Sequence, residues 1–448
     1  MSHRALIVAL AAARVVLEQT LPPPTVGHPE DASALLTRAR EKVLDSIRSL
    51  PKYTCLETIE RKYYFLPPEK HSPHMMTEDP PASACSGNGA RHLSLAAMDR
   101  LRVEVAAAGQ SEIHSWPGAS RFDTRSFDQM IPFGPLSTGS FGTTLYDVFA
   151  NPGAQIKFAA RKADGPRDVF EYSFRVPLNA SHTVVKGSRG WQHAAFSGSF
   201  EISSSDAELA RFVFETGPLP PDTGMCQAKV STDYHFMVIG DGEFRIPRWS
   251  ELETFDTDGG QTDSVTEFSA CREYTTESSI RFGDQDTPAE LIKITPQHGT
   301  ALPPGVSLSL ALSGPIDLET AAAGDPVSAR IVHSVRLRGS KEVLVPADAI
   351  ARGRILEMRH EIRTSEYLIS IRLDTLETKG AISPLSIRLT REIRAEGRNP
   401  GGFVARGTEF SLPAPASMES RSLFVFSAKS GAHIVPVGFQ SKWMTVAP

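Results

Sequence analysis

The sequence predicts a mainly β fold with one N-terminal amphipathic helix, arranged as a curved antiparallel sheet domain followed by a small β-barrel or sandwich domain. Three observations carry that expectation. Apolar and polar residues alternate with period two through most of the chain, as in "VFEYSFRVPL" and "YLISIRLDTLET". Turns rich in Gly, Asn, Asp and Ser separate these runs. Helical spacing is sustained in one early stretch.

The first element is that helix. Within Ser33 to Leu50 the apolar residues Leu36, Ala39, Val43, Ile47 and Leu50 recur at three and four, with Arg38, Arg40, Glu41 and Lys42 on the other faces. Asp31 or Ser33 is the expected cap, and Pro51 stops the helix. Strands follow from "YTCLETIERKYYF" onward, interrupted by the aperiodic, Pro- and Ser-rich residues 66–91. Residues 228–274 read as a three-strand meander with hairpin turns at "GDGE" (240–243) and "DTDGG" (256–260). A second strand-rich region begins near Gly305, and "VLVPADAIARGRI" (343–355) reads there as two strands joined by a tight turn, with Asp348 as turn chemistry. The expected division is a leader at 1–28, a helix-plus-sheet domain at 29–282, a linker at 283–304 and a barrel-like domain at 305–448.

A chain of 448 residues suits two or three domains, and 40% hydrophobic with 22% charged residues is a globular composition. Residues 1–285 carry 28 Lys and Arg against 36 Asp and Glu; residues 286–448 carry 19 against 16. Neither part has the concentrated basic character of a nucleic-acid binder. At the start, Arg4 precedes the apolar run Ala5–Ala13, which ends in small residues, the shape of a signal peptide. An exported protein of the periplasm or cell envelope is therefore expected. No later apolar run approaches the roughly 20 residues of a membrane span.

Cys55, Cys85, Cys226 and Cys271 are an even set whose spacing fits no zinc site, so two disulfides are expected. The meander puts Cys226 at one end of its first strand and Cys271 near the opposite end of its third, too far apart for a bond that needs Cα atoms within about 7 Å. The favoured pairing is Cys55 with Cys271 and Cys85 with Cys226.

Patterns that could carry chemistry are few. "SLPK" places Ser49 and Lys52 at the Ser-x-x-Lys spacing, but Pro51 breaks the helical turn that would bring them together. Asp256, Asp258 and Asp263 gather carboxylates as weak metal candidates, without the twelve-residue series or closing Glu of a calcium loop, so a hairpin turn is the favoured reading. His71 and His74 in "HSPH" lie in the aperiodic loop. No catalytic residue and no cofactor is assigned.

Two resemblances add to this. Leu302–Ile355 resembles the β-barrel domain of TrbI-type channel proteins of type IV secretion and conjugal transfer. It carries Gly305, Ala323-Gly324-Asp325, Val327-Ser328-Ala329, Val345-Pro346-Ala347-Asp348-Ala349 and Gly353-Arg354-Ile355, with Asp348 where that family has glycine. The first region, with "FSGSFEISSSDAELARFVFE", is similar to LolA-type periplasmic lipoprotein carriers, in which a helix lies before a curved sheet that holds acyl chains.

The resulting expectation is a non-enzymatic envelope protein acting in assembly or scaffolding through contacts with other envelope proteins. The alternative is a periplasmic carrier of a lipid or lipidated peptide, with an apolar space beneath the helix. A third, a hydrolase, needs two buried acids converging in a cleft. Sequence sets no oligomeric state.

Overall fold

The structure, a computed structural model, describes residues 29–49, 53–67, 85, 92–108, 111–119, 122–131, 133–164, 167–273, 297–336, 342–379, 381–390, 406–408, 422–427 and 433–447. The leader, most of the 66–91 loop with His71 and His74, Leu50 to Lys52 and most of the 283–304 segment lie outside these residues.

The helix α1 (Pro29–Ser49) starts before Asp31 and Ser33, because proline is well suited to a first helical turn. Its buried stripe is Ala32, Leu35, Ala39, Val43 and Ile47, so Leu35 rather than Leu36 leads inward and Leu36 packs at the edge. Twelve strands follow in the N-terminal half. They are β1 (Tyr53–Phe65), β2 (Ser94–Ala108), β3 (Ser111–Ser115), β4 (Gln155–Asp164), β5 (Arg167–Val176), β6 (Val184–Gly187), β7 (Gly190–His193), β8 (Phe196–Ser203), β9 (Leu209–Thr216), β10 (Met225–Ile239), β11 (Gly242–Asp256) and β12 (Gln261–Glu273). Two short helices, α2 (Phe127–Met130) and α3 (Thr143–Phe149), sit in the connection between β3 and β4.

Ten of these strands run as one antiparallel sheet in the order β3–β2–β1–β12–β11–β10–β9–β8–β5–β4, while β6 and β7 form a separate hairpin. The meander β10–β11–β12 turns at Gly240–Asp241 and at 257–260. It brings Cys271 beside Cys55 on the neighbouring strand, and these are bonded with Cα atoms 4.0 Å apart. Cys85 is bonded to Cys226 at the start of β10, with Cα atoms 5.3 Å apart.

The C-terminal half comprises β13 (Gln297–His298), β14 (Ser307–Leu312), β15 (Ile316–Asp317), β16 (Pro326–Ile331), β17 (Val335–Arg336), β18 (Val343–Val345), β19 (Ile350–Glu361), β20 (Glu366–Thr378), β21 (Ala381–Pro384), β22 (Ile387–Leu389), β23 (Arg406–Thr408), β24 (Ser422–Ser427), β25 (Ile434–Val435) and β26 (Gln440–Thr445). The ladder β22–β26–β14–β16–β19–β20–β24–β23 surrounds one apolar core that includes Leu308, Ile331, Ile369, Ile387, Phe424 and Trp443. Period-two alternation explains why one face of each strand enters this core.

The stretch 343–355 forms two strands joined by a turn, as its sequence suggests, but the strands do not pair with each other. β18 pairs with β17 in a small separate sheet, whereas β19 pairs with β16 and β20. Asp348 between them has φ 66°, and its N–H donates to the Ile331 carbonyl. Asp tolerates this left-handed conformation better than most residues.

The two halves share a sheet. The far end of β19 pairs with β2, matching Asp99 with Arg359, Met98 with His360 and Ala97 with Glu361. Twenty strands thereby become continuous. The turn Ala323-Gly324-Asp325 docks on the same strand: Ala323 exchanges backbone hydrogen bonds with Arg100 and Arg102, and Arg102 pairs with Asp325. Gly324, at φ 104°, lies so near that a Cβ would come within 2.0 Å of the Arg102 carbonyl oxygen, so only glycine fits.

Candidate functional site

The most distinctive surface of the N-terminal half is the face that α1 covers. Alternation in β5, β8 and β9 points Phe170, Tyr172, Phe174, Phe196, Phe200, Phe212 and Phe214 to one side, and all are buried. The rings contact one another: Tyr172 and Phe200 stack at 5.3 Å between centroids, Phe174 and Phe212 at 5.1 Å, and Phe149 of α3 meets Phe200 at 4.9 Å. The stripe of α1 rests directly on this aromatic floor. Two of its five inward residues are alanines, so the helix can lie close to the rings.

Polar contacts fasten α1 at two points. The Tyr172 hydroxyl donates to the Ala32 carbonyl at 2.7 Å, and burial pushes that hydroxyl up to about 12, so it stays protonated and donates at neutral pH. Glu208, in the turn before β9, accepts from Lys42 at 2.7 Å and from Arg245 at 3.0 Å. Lys42 is half-exposed, and such a pair contributes only about 0.2–1 kcal/mol. The helix is therefore held mainly by its apolar stripe.

Two buried polar clusters lie beneath the segment between β3 and β4. Arg61 makes a two-pronged bond to Asp99, both contacts at 2.7 Å, and donates to the Phe133 carbonyl, while the Tyr63 hydroxyl donates to the same carboxylate. Burial opposes the charge on Arg61, and the Asp99 carboxylate more than offsets it, leaving the guanidinium pKa raised. In the second cluster His114 faces Glu57 at 3.4 Å and stacks on Phe127, while Glu112 accepts from the Gly139 and Phe141 N–H groups. Burial raises the Glu112 pKa in spite of those donors. Glu57 and Glu112 are two acids near one imidazole, but they are roofed by Phe127 and the 139–141 backbone, and their visible work is to seat that segment.

The acids singled out from sequence do not converge. Asp256 opens the hairpin turn, its N–H donating to the Gly260 carbonyl; Asp258 accepts from the Gly260 N–H, and Asp263 from Gln261. Among the described residues no three His, Cys, Asp or Glu side chains gather in a way that could hold a metal ion. Ser49 ends α1, and Lys52 lies outside the described residues. The aromatic floor was readable as alternating Phe and Tyr, whereas nothing local in sequence links Arg61 to Asp99 or Glu57 to His114.

Burial, then the neighbouring Asp258, lifts Asp256 to about 6. A raised carboxyl pKa means that folding favours the protonated form, so stability falls as pH rises from about 4 to 6. Asp256→Asn is expected to stabilise the protein at pH 7 by about 1 kcal/mol, discounted for its partial exposure, and to give no gain at pH 4. Thermal melts at the two pH values check this; equal shifts at both would refute it.

No protein-family model matches the sequence, and no curated protein matches it. Solved structures to which the chain is similar include the following two. The LolA superfamily protein NE2245 from Nitrosomonas europaea is 11% identical with a TM-score of 0.26, covering 55% of this chain and 94% of that one. A putative outer membrane lipoprotein-sorting protein domain from Vibrio parahaemolyticus is also 11% identical with a TM-score of 0.26, covering 55% and 95%.

Proposed function

We propose that the protein is a non-catalytic carrier of the cell envelope that holds the acyl chain of a lipid or lipidated peptide between α1 and the aromatic floor. The observation that carries this reading is a continuous layer of seven buried rings covered by one helix with a narrow apolar stripe. The open apolar space expected beneath the helix is not present: buried rings fill it and the stripe of α1 packs on them, so carriage in this form requires the helix to lift for a chain to enter.

Magnitudes favour the exchange. Exposing Leu35, Val43 and Ile47 costs about 5–9 kcal/mol at 1.5–3 kcal/mol each, whereas burying a 16-carbon chain returns about 12 kcal/mol at 0.8 kcal/mol per methylene. The latch at Lys42 adds little to the cost of opening. Two disulfides support an oxidising compartment, where such cargo moves.

Locking the helix tests the reading. In Lys42→Cys/Glu208→Cys the two new thiols are the only free ones, since every native cysteine is bonded. A short bismaleimide joining them is expected to abolish binding of a fluorescent long-chain fatty acid, while the same variant before cross-linking binds it. Equal binding in both forms would exclude entry beneath α1.

A second reading, assembly through the C-terminal half, is favoured by the exposed apolar side chains Val343, Ile434 and Val437 there. It predicts self-association or co-purifying envelope proteins in light scattering of the native protein, and a lone monomer at all concentrations would count against it.

A further inference from the structure

Where β2 meets β19, the shared sheet and the Leu318–Glu319 segment line an open cavity of about 280 Å³. Its floor is set by register. Met98 and His360 are directly opposed in the β2–β19 ladder, and Met358 precedes His360 by two positions, so all three point to one face. Asp99, between them in register, turns to the other face to bond Arg61. Opposed side chains start about 4.5–5.5 Å apart and diagonal ones about 7–8 Å apart, a span that two unbranched methionines can close on a common point.

We propose that Met98, Met358 and His360 form a binding site for a soft monovalent cation of the copper(I) class. Thioether sulfur and imidazole are the donors that such an ion selects over calcium or zinc. Methionines often fill core gaps, and Met358 is 4% exposed at the edge of the C-terminal apolar core, but it also lines the cavity together with Met98 and His360. His360 stacks on Tyr367 at 4.1 Å, which fixes its ring, and Tyr367 in turn meets His433. Glu60, Arg100 and Glu319 line the same cavity; Glu60 and Arg100 pair at 2.7 Å and Glu319 faces His433 at 3.4 Å, so selection of the ion rests on the thioether and imidazole donors. All four cysteines are in disulfides, so no thiolate competes with the thioethers.

The test uses copper(I) held by ascorbate and a chromophoric chelator as competitor. The chain also carries "HSPHMM", so His71→Ala/His74→Ala/Met75→Leu/Met76→Leu serves as the background. That background is expected to take one equivalent. Adding Met98→Leu/Met358→Leu, near-isosteric changes, is expected to weaken binding at least about tenfold with an unchanged melting curve. His360→Gln provides an independent variant with the same expected loss if the methionine pair disturbs folding. X-ray absorption of the loaded protein should show both sulfur and nitrogen neighbours. Failure of the background to bind, undiminished binding by the substituted forms, or a sphere without sulfur would each overturn the site.

Discussion

Arg61→Met is expected to lower the unfolding free energy by about 3–5 kcal/mol, the cost of leaving a buried carboxylate without its partner. Arg61 is fully buried, and Asp99 is 6% exposed. Removing the guanidinium also removes its 2.7 Å bond to the Phe133 carbonyl. The charge left behind is the larger effect, so Arg61→Met/Asp99→Leu is expected to recover at least half of the loss. Urea melts of the single and double variants measure both quantities. A single-variant cost below about 1 kcal/mol would mean that water reaches the pair. Because Asp99 sits opposite Arg359 at the junction of the halves, the variant should also loosen that ladder, seen as faster amide exchange at 97–99.

Breaking the Cys55–Cys271 bond is the second large change. It spans 216 residues of sequence, and in the chain-entropy model such a closure contributes about 5 kcal/mol as an upper figure. Cys55→Ala/Cys271→Ala should therefore leave the N-terminal half close to its stability limit. The two bonds should differ in resistance to reductant. Cys55 is 1% exposed beneath Tyr53 and Phe268, whereas Cys85 is exposed. Mild reduction followed by alkylation is expected to label Cys85 and Cys226 first; the reverse order would show that β1 and β12 separate readily.

Legibility in the sequence follows the range of the interactions. The helix, the alternating Phe and Tyr of β5, β8 and β9, and the β10–β11–β12 turns are set by neighbours a few residues apart, and they can be read directly. The β2–β19 ladder joins residues about 260 positions apart, and edge pairing leaves no periodic mark. The stretch 343–355 is legible as two strands joined by a turn, but the partners of those strands are not. The turn backbone is bonded to Ile331, and each run finds a different partner. The acids at 256–263 drew notice because they are close in sequence, yet they serve the turn. The chemistry-bearing residues of the cavity at the junction, Met98, Met358 and His360, are ordinary strand residues until the register sets them face to face.

The carrier reading is tested most directly by native mass spectrometry of the protein isolated from its native cells without denaturant. The expected spectrum contains the intact protein with a bound acyl lipid or lipidated peptide, lost on collisional activation and absent after the Lys42→Cys/Glu208→Cys variant is cross-linked before exposure to membrane lipid. A spectrum of bare protein from those cells, with no adduct after incubation with long-chain lipids, would contradict it.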